Sequence, residues 1–257
     1  MRTETSIIEL YNARDLSPEE VAESFVPPSF MRTLMKRNNT IIIGPRGSGK
    51  TTLLKMLQHS ALESWAHQSA DDLVKLVDYT TVFVPIDTLW TLQLNGLGDG
   101  RLDTESLNLF KRVAFILHSL GCWVEAAMSR MSESGGRKQR ELRRISLNKN
   151  DEAELVRSIA DAWMIQPRIL SLMGLKGAID RKIFDLSVLA NRFAMLDPDS
   201  RKMELRENPL FHLSLLQCVI YASRVFDDLI GKPNDKWALL YDELELAPPE
   251  VHEEIMK

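Results

Sequence analysis

The chain has 257 residues, 44% of them apolar, which is enough for one large domain or one and a half ordinary ones. Its formal net charge of −4 at pH 7 excludes a protein that coats nucleic acid with its whole surface, while a local basic patch stays open. No signal-peptide or membrane-spanning pattern is found, so the protein is expected in the cytoplasm. Cys122 and Cys218 lie far apart in apolar helical patterns and are expected to be reduced, buried thiols.

The first 94 residues divide into a lead-in and a strand–helix–strand pattern. In the lead-in, residues 1–39, Ser17 predicts a helix cap with Pro18 at the first helical position. In residues 40–94, the run "III" at 41–43 predicts a strand, "TTLLKMLQHSALESW" predicts one amphipathic helix, and "TTVFVPID" from Thr80 predicts a second strand. This order indicates a parallel βαβ unit.

Residues 95–235 carry helical patterns throughout, and residues 236–257 return to a strand, "KWALLYD", followed by the start of a helix. A turn is expected at the sequence "DPD" from Asp197, and Gly174 and Gly177 are candidate breaks in the helix that contains them. Four helices are predicted in this region. The first runs from near Thr104 to Met131, and the second opens at Asp151, with Glu154 as capping-box partner, and ends near Pro167. The third runs from Pro167 to Leu196, and the fourth from its cap Asn208, with Pro209 at the first position, to Gly231.

The segment "GPRGSGKT", residues 44–51, fits the phosphate-binding pattern G-x-x-x-x-G-K-[ST]. Its glycines let the backbone curl so that successive N–H groups converge on phosphates, and the following helix offers its positive end. Lys50 is predicted to set a cation against the β- and γ-phosphate oxygens, a catalytic role, while Thr51 supplies a hydroxyl to Mg²⁺. The predicted nucleotide-binding set, with ATP as ligand, is Gly44, Gly47, Ser48, Gly49, Lys50, Thr51 and Thr52.

A second motif, "ALLYDE", ends an apolar run in Asp242 and Glu243. A buried parallel strand delivers its carboxyl-end residue to the crevice where ligands bind, so Asp242 is predicted to join Thr51 at the Mg²⁺ site, through water. Glu243 is predicted to orient and activate the attacking water as the catalytic base. A strand running into a solvated acidic turn is the alternative, and Glu245 is expected to be a solvated or helix-capping acid.

These two motifs together resemble a known class of ATPases. "GPRGSGKTT" with "LLYDELE" is similar to P-loop ATPases that bear a catalytic glutamate, and "FVPP…NNTIIIGPRGSGKTTLLKML…FVPIDTLW" resembles bacterial AAA-type ATPases related to origin-recognition proteins. Several of their relatives occur in antiphage defence systems. The resemblance implies an α/β P-loop NTPase sheet, here with a large helical insertion between the second and third strands. A sensor residue, an arginine finger and a helical lid have no match in the sequence.

The resemblance also implies the strand order 5-1-4-3-2, in which a fourth strand separates the P-loop strand from the aspartate strand. No segment up to Lys257 supplies that strand, so the sheet is expected to be incomplete at the carboxyl end, unless the order differs. Further chain or a partner polypeptide would complete it. The chain as given is therefore expected to hold nucleotide weakly and to turn it over slowly or not at all.

Two features of residues 132–144 admit other interpretations. "SESGGRKQR" resembles the transporter signature "LSGGQ", but roughly a hundred residues separate it from the aspartate strand where a short helix is required, which favours a solvated loop. Arg137, Arg140 and Arg144 would share one helical face and could meet nucleic-acid phosphates, although a solvated charged face is the simpler interpretation.

The function predicted from all of this is a Mg²⁺-dependent, ATP-binding AAA-type module that acts as a nucleotide-controlled switch in bacterial antiphage defence. An oligomer or a partner protein is expected, and no membrane association. Two alternatives remain: a non-hydrolysing interaction module clamped by nucleotide, and a nucleic-acid-associated ATPase or loader. The sequence names neither the effector nor the activating signal.

Overall fold

The structure is a computed structural model that describes residues 13–36, 39–86, 94, 97–131, 145–230 and 236–255. The chain separates into two compact units. The first comprises the described residues up to 83 together with 129–131 and 236–242, and the second comprises the described residues of 84–128, 145–230 and 243–255. The predicted division into a lead-in, a P-loop unit, a helical insertion and a terminal strand stays a prediction.

The first unit begins with the lead-in helix that the sequence predicts. Helix α1 (Pro18–Ser24) has Ser17 as its cap, Pro18 at its start and a complete capping box with Glu20, whose carboxylate accepts a 2.7 Å hydrogen bond from the Ser17 N–H. Helix α2 (Met31–Leu34) follows. Both turn apolar side chains inward, among them Val21 and Met31.

The single long helix predicted after the glycine loop is wrong. The structure has α3 (Lys50–Lys55), α4 (His59–Ser64) and α5 (Ala70–Val74), with Gln58 extended between the first two at φ −72°, ψ 149°. The break exposes the Leu57 carbonyl, which accepts a 3.0 Å hydrogen bond from the Thr81 hydroxyl. Where the helix is interrupted, the Thr81 hydroxyl therefore satisfies this carbonyl.

These short helices share one apolar core. Trp65 is fully buried, and its indole N–H donates to the Phe25 carbonyl at 3.1 Å. Leu240 of the last strand packs against the same cluster. The buried members are Val21, Ala22, Met31, Met35, Leu53, Met56, Leu57, Ala61, Leu62, Trp65, Ala70, Leu73 and Val74.

The described residues contain two strands, which pair as parallel neighbours. These are β1 (Tyr79–Pro85) and β2 (Lys236–Asp242), the predicted second and third strands. The predicted first strand is wrong for this structure: residues 41–43 have no strand assignment, and Ile41 and Ile43 are 69% and 91% exposed. A strand forms only when a neighbour accepts its backbone hydrogen bonds, and no strand in the described part of the chain pairs with this segment.

Helices build the second unit, as predicted, with several boundaries corrected. Helix α6 (Thr104–Met131) has the predicted ends. Asn148 rather than Asp151 caps α7 (Lys149–Trp163), and Ser171 caps α8 (Leu172–Ala194), which Gly174 and Gly177 do not break. The turn predicted at 197–199 is wrong, because Asp197 caps a further helix, α9 (Pro198–Glu207). The structure then has a 3₁₀ helix (Pro209–His212), α10 (Leu215–Leu229) capped by Ser214, a 3₁₀ turn (Leu244–Leu246) and α11 (Pro249–Ile255).

Buried tryptophans hold this helical unit together. The rings of Trp123 and Trp163 meet edge to face at 5.8 Å, and Phe226 packs edge to face against Trp123 at 6.0 Å. Both indole N–H groups have acceptors at 3.1 Å, the Ser223 hydroxyl for Trp123 and the Cys218 carbonyl for Trp163. Cys122 and Cys218 are free and buried, which confirms that expectation.

A carboxylate in the last helix ties α11 to this unit. Glu254 accepts a 2.8 Å hydrogen bond from the Ser214 hydroxyl at the start of α10 and lies 3.6 Å from the guanidinium of Arg112 in α6. Arg112 also donates to the Leu213 carbonyl at 2.7 Å. Among the described helices, none has both the length and the apolar character needed to cross a bilayer.

The corrected cap of α7 can be tested directly. Replacing Asn148 with Ala removes the side-chain oxygen that accepts from the Asn150 and Asp151 N–H groups at 2.9 and 3.0 Å. We expect the free energy of unfolding, measured by urea titration, to fall by about 1 kcal/mol. Glu154→Ala is the matched control and is expected to change it by less than about 0.5 kcal/mol. The opposite ranking would restore the capping box predicted from the sequence.

Candidate nucleotide site

The backbone conformation of the glycine loop requires glycine at particular positions. Gly47 and Gly49 have φ of +82° and +81°, in the left-handed region where a side chain costs roughly 1–2 kcal/mol. A Cβ at Gly44 would lie 2.7 Å from the Ser48 hydroxyl oxygen, so a larger residue there would require the Ser48 side chain to shift. Glycine is thus favoured at Gly47 and Gly49 for backbone reasons, independent of any ligand.

Lys50 lies across the loop. Its ammonium donates hydrogen bonds to the Gly44 carbonyl at 2.7 Å and to the Pro45 carbonyl at 3.1 Å. The charge therefore sits against two carbonyl oxygens of the loop itself. These contacts use carbonyl oxygens, which an anionic phosphate would replace with stronger charge-assisted bonds.

Thr51 and Asp242 are the two predicted metal-site residues, and they are in contact. The Thr51 hydroxyl donates a 2.8 Å hydrogen bond to the Asp242 carboxylate, across 191 positions of sequence. Asp242 is the last residue of β2 and is 6% exposed. The pairing of β1 with β2 and the burial of α3 bring the start of a helix and the end of a strand to one point.

Lys55 is a charged neighbour that the sequence interpretation missed. It is 8% exposed, and its ammonium donates to the Leu16 carbonyl at 2.6 Å and to the Arg14 carbonyl at 3.0 Å. Burial lowers the pKa of Lys55, and the negative charge of Asp242 opposes that shift. The available signal was spacing, because Lys55 follows Thr51 by four residues and therefore lies on the same helix face.

Glu243, the predicted base, directly follows Asp242 and belongs to the second unit. Its backbone is left-handed at φ 59°, ψ 43°, and its carbonyl accepts from the Leu246 N–H at 2.9 Å as the 3₁₀ turn begins. A non-glycine residue in this conformation is uncommon and is often found at functional sites. Glu245 is exposed, as expected for a solvated acid.

Several predicted features lie outside the described residues. Both the signature-like segment, residues 132–140, and the basic face of Arg137, Arg140 and Arg144 fall there. Within the described part of the chain, no three His, Cys, Asp or Glu side chains cluster in a way that could hold a metal ion.

A glycine loop that leads into a helix, with the helix threonine bonded to an aspartate at the end of a parallel strand, defines a P-loop NTPase-like fold. A family model described as ORC-CDC6-like matches residues 6–257, and the chain belongs to that family. Membership relates it to origin-recognition-like AAA ATPases, which confirms that part of the predicted resemblance and implies nucleotide binding. Comparisons with curated proteins and with solved structures returned no match.

The hydrogen bond between Thr51 and Asp242 can be tested without a nucleotide. Thr51→Val keeps the shape and β-branching of the side chain but leaves a mostly buried carboxylate without this donor. We expect the free energy of unfolding to fall by about 1–3 kcal/mol, the usual range for a hydrogen bond to a charged group. Thr52→Val is the matched control on the next residue of α3. Equal urea midpoints for the two variants would show that the bond does not stabilise the fold.

Proposed function

We propose that this chain is an ATP-binding, Mg²⁺-dependent AAA-type ATPase module that acts as a nucleotide-controlled switch in bacterial antiphage defence. One observation carries the nucleotide-binding part of the proposal, the contact of Thr51 with Asp242 beside a loop whose glycines shape it for phosphate. Family membership supports the AAA class. The antiphage setting is supported by the resemblance of the P-loop segments to ATPases of such systems.

The oxygen atoms at this point suit Mg²⁺. The Thr51 hydroxyl and the Asp242 carboxylate are hard oxygen donors held 2.8 Å apart, so Thr51 would bind the ion directly and Asp242 would reach it through water. When bound, Mg²⁺ would neutralise charge on the phosphate oxygens. Lys50 would exchange its carbonyl contacts for phosphate oxygens, and the loop N–H groups would hold the remaining ones.

Hydrolysis would use Glu243 as the base. A water oxygen forms a bond to the γ-phosphorus, the bond between that phosphorus and the bridging oxygen breaks, and the water proton passes to the Glu243 carboxylate, so that ATP and water give ADP and phosphate. Asp242 fixes where the following residue leaves the strand, and Glu243 turns there into the left-handed conformation.

We also propose that the nucleotide-binding sheet is completed by a strand that the described residues do not supply. The support is the exposure of Ile41 and Ile43, which alternate with the half-buried Ile42 directly before the phosphate loop. A continuous run of β-branched apolar residues at this point is typical of a strand that is covered on both faces. Unless a neighbouring strand covers residues 41–43, the phosphate loop that follows them has little support. Turnover by residues 1–257 alone is therefore expected to be slow.

The phosphate role of Lys50 is tested by nucleotide binding. Lys50→Ala removes the loop cation, and we expect the affinity for Mg·ATP, measured by titration calorimetry, to fall about 10- to 150-fold, equivalent to about 1.5–3 kcal/mol. Lys36→Ala, an exposed lysine outside the loop, is expected to leave affinity unchanged. Equal affinity of the Lys50 variant and the unmodified chain would contradict the nucleotide site.

The base is tested by separating binding from turnover. Glu243→Gln keeps the size of the side chain but cannot take a proton, so Mg·ATP should bind as before while phosphate release in a single-turnover experiment falls about a hundredfold or more in a form of the enzyme whose sheet is completed by further chain or a partner. Glu245→Gln, two residues on, should retain the rate. Unchanged turnover in the Glu243→Gln variant would assign the base elsewhere. Tight binding with no phosphate release, even by a form whose sheet is completed by further chain or a partner, would favour the non-hydrolysing interaction module.

A further inference from the structure

The outward face of α8 carries large apolar side chains that the rest of the unit leaves uncovered. Met173, Phe184 and Val188 are 69%, 68% and 57% exposed, and Met195, the residue that caps the helix, is 73% exposed. At about 100° per residue these positions fall within one narrow stripe along the helix. We call these four residues the outer stripe. On the opposite side the same helix buries Leu172, Leu175, Ile179, Leu186, Ala190 and Phe193.

A helix with apolar residues on two opposite faces is normally covered on both. A solvated helix of this kind would carry charged residues where the outer stripe has Met, Phe and Val. The four side chains recur on one side of a 23-residue helix, with Gly177, Asp180 and Asn191 between them, whereas single exposed apolar residues are ordinary on protein surfaces. The outer stripe therefore has the composition of an interface.

Gly177 is a second, independent feature of the same stripe. A Cβ there would meet nothing within 4 Å, whereas a Cβ at Gly174 would fall 2.2 Å from the Ile169 carbonyl oxygen. Gly174 is thus required by the atoms around it. Gly177 destabilises the helix by about 1 kcal/mol relative to alanine, and no contact inside the unit requires a glycine there. Close approach of another helix at Gly177 supplies the missing reason.

The outer stripe is symmetric about Phe184 except at Val188, which in an antiparallel pair would face Asp180 of the second copy. Met173 lies eleven residues before Phe184 and Met195 eleven after it, while Gly177 and Asn191 lie seven residues to either side. Two such helices placed antiparallel with their Phe184 rings together would set each Met173 against the Met195 of the other copy. Each Gly177 would face Asn191. This is the self-complementarity that a two-fold interface requires, and an unrelated partner does not call for it.

The charges beside the stripe fit the same arrangement. With a rise of about 1.5 Å per residue, Arg181 of one copy would lie about 3 Å along the axis from Asp185 of the second copy, on the same margin of the interface. Both residues are exposed, and neither forms an ion pair within the described part of the chain. Asp180, which lies in the stripe itself, is already neutralised by Lys176 at 2.7 Å.

We propose that α8 is a homodimerisation helix whose outer stripe packs antiparallel against the outer stripe of a second copy of this chain, with Phe184 on the two-fold axis. Phe184 is the central anchor, since a large aromatic at the middle of an interface contributes most of the binding energy. The paired rings add an aromatic contact to the apolar area that the methionines bury.

Sedimentation of the 257-residue chain over about a hundredfold range of concentration tests the dimer. We expect a concentration-dependent dimer, and a dissociation constant raised at least about thirtyfold by Phe184→Glu, with unchanged circular dichroism. Ile220→Glu is the matched control, because Ile220 is an exposed apolar residue of α10 outside the stripe. A monomer at every concentration, or equal dissociation constants for the Phe184 variant and the unmodified chain, would overturn the proposal.

The antiparallel register has its own test, which does not depend on Phe184. Arg181→Glu and Asp185→Arg should each weaken the dimer, and the double variant should regain the unmodified dissociation constant.

In addition, Phe184→Cys should form a disulfide-linked dimer faster than Ile220→Cys. Burial raises the pKa of Cys122 to about 12 and that of Cys218 to about 11, so the native thiols stay out of the reaction. No rescue by the double variant together with equal crosslinking rates would exclude this register.

Discussion

The hydrogen bond between Thr51 and Asp242 is the constraint on which the nucleotide-binding unit depends. It joins the first turn of α3 to the last residue of β2, which are 191 positions apart in sequence. Because Asp242 is 6% exposed, its charge would be costly to bury without a donor and a nearby cation. Thr51 supplies the donor, and Lys55, one turn along the same helix, supplies the cation. The lysine in turn fixes the helix to the lead-in through the Arg14 and Leu16 carbonyls.

The end of β2 also determines how the chain continues into the second unit. One residue after Asp242 the backbone turns left-handed at Glu243, and the short turn beyond it is held by the His252 ring, which contacts the Leu244 carbonyl at 2.6 Å. Helix α11 is then anchored by Glu254 to the Ser214 hydroxyl and to Arg112. Within the second unit, Glu243, the 3₁₀ turn and α11 are thus joined by the contacts of His252 and Glu254.

Sequence patterns predicted elements well where local signals and packing agree. Helix α6 has the predicted ends because a long amphipathic period and its flanking residues point to the same boundaries, and Ser17 caps α1 as expected. The wrong predictions concern segments whose structure depends on residues distant in sequence. The run at 41–43 has strand composition, but a strand forms only beside a neighbouring strand. Helix α3 ends earlier than predicted, where the Leu57 carbonyl accepts a hydrogen bond from the Thr81 hydroxyl. Asp197 followed by proline is typical of a turn and of a helix start alike, and the helix forms.

The same reasoning explains which functional residues the sequence could and could not supply. Thr51 and Asp242 belong to motifs of fixed spacing, so their roles could be proposed before their contact was seen, while Lys55 carries no motif and is defined only by burial beside Asp242. In α8 the period of apolar residues predicts a helix but not which of its two apolar faces meets the core. The fold settles that choice by burying the face of Ile179 and Phe193, which leaves Phe184 outside. Phe184 stays exposed at the centre of the outer stripe, near a glycine with open space around it. A partner molecule explains an exposed apolar residue in this position, and the core does not.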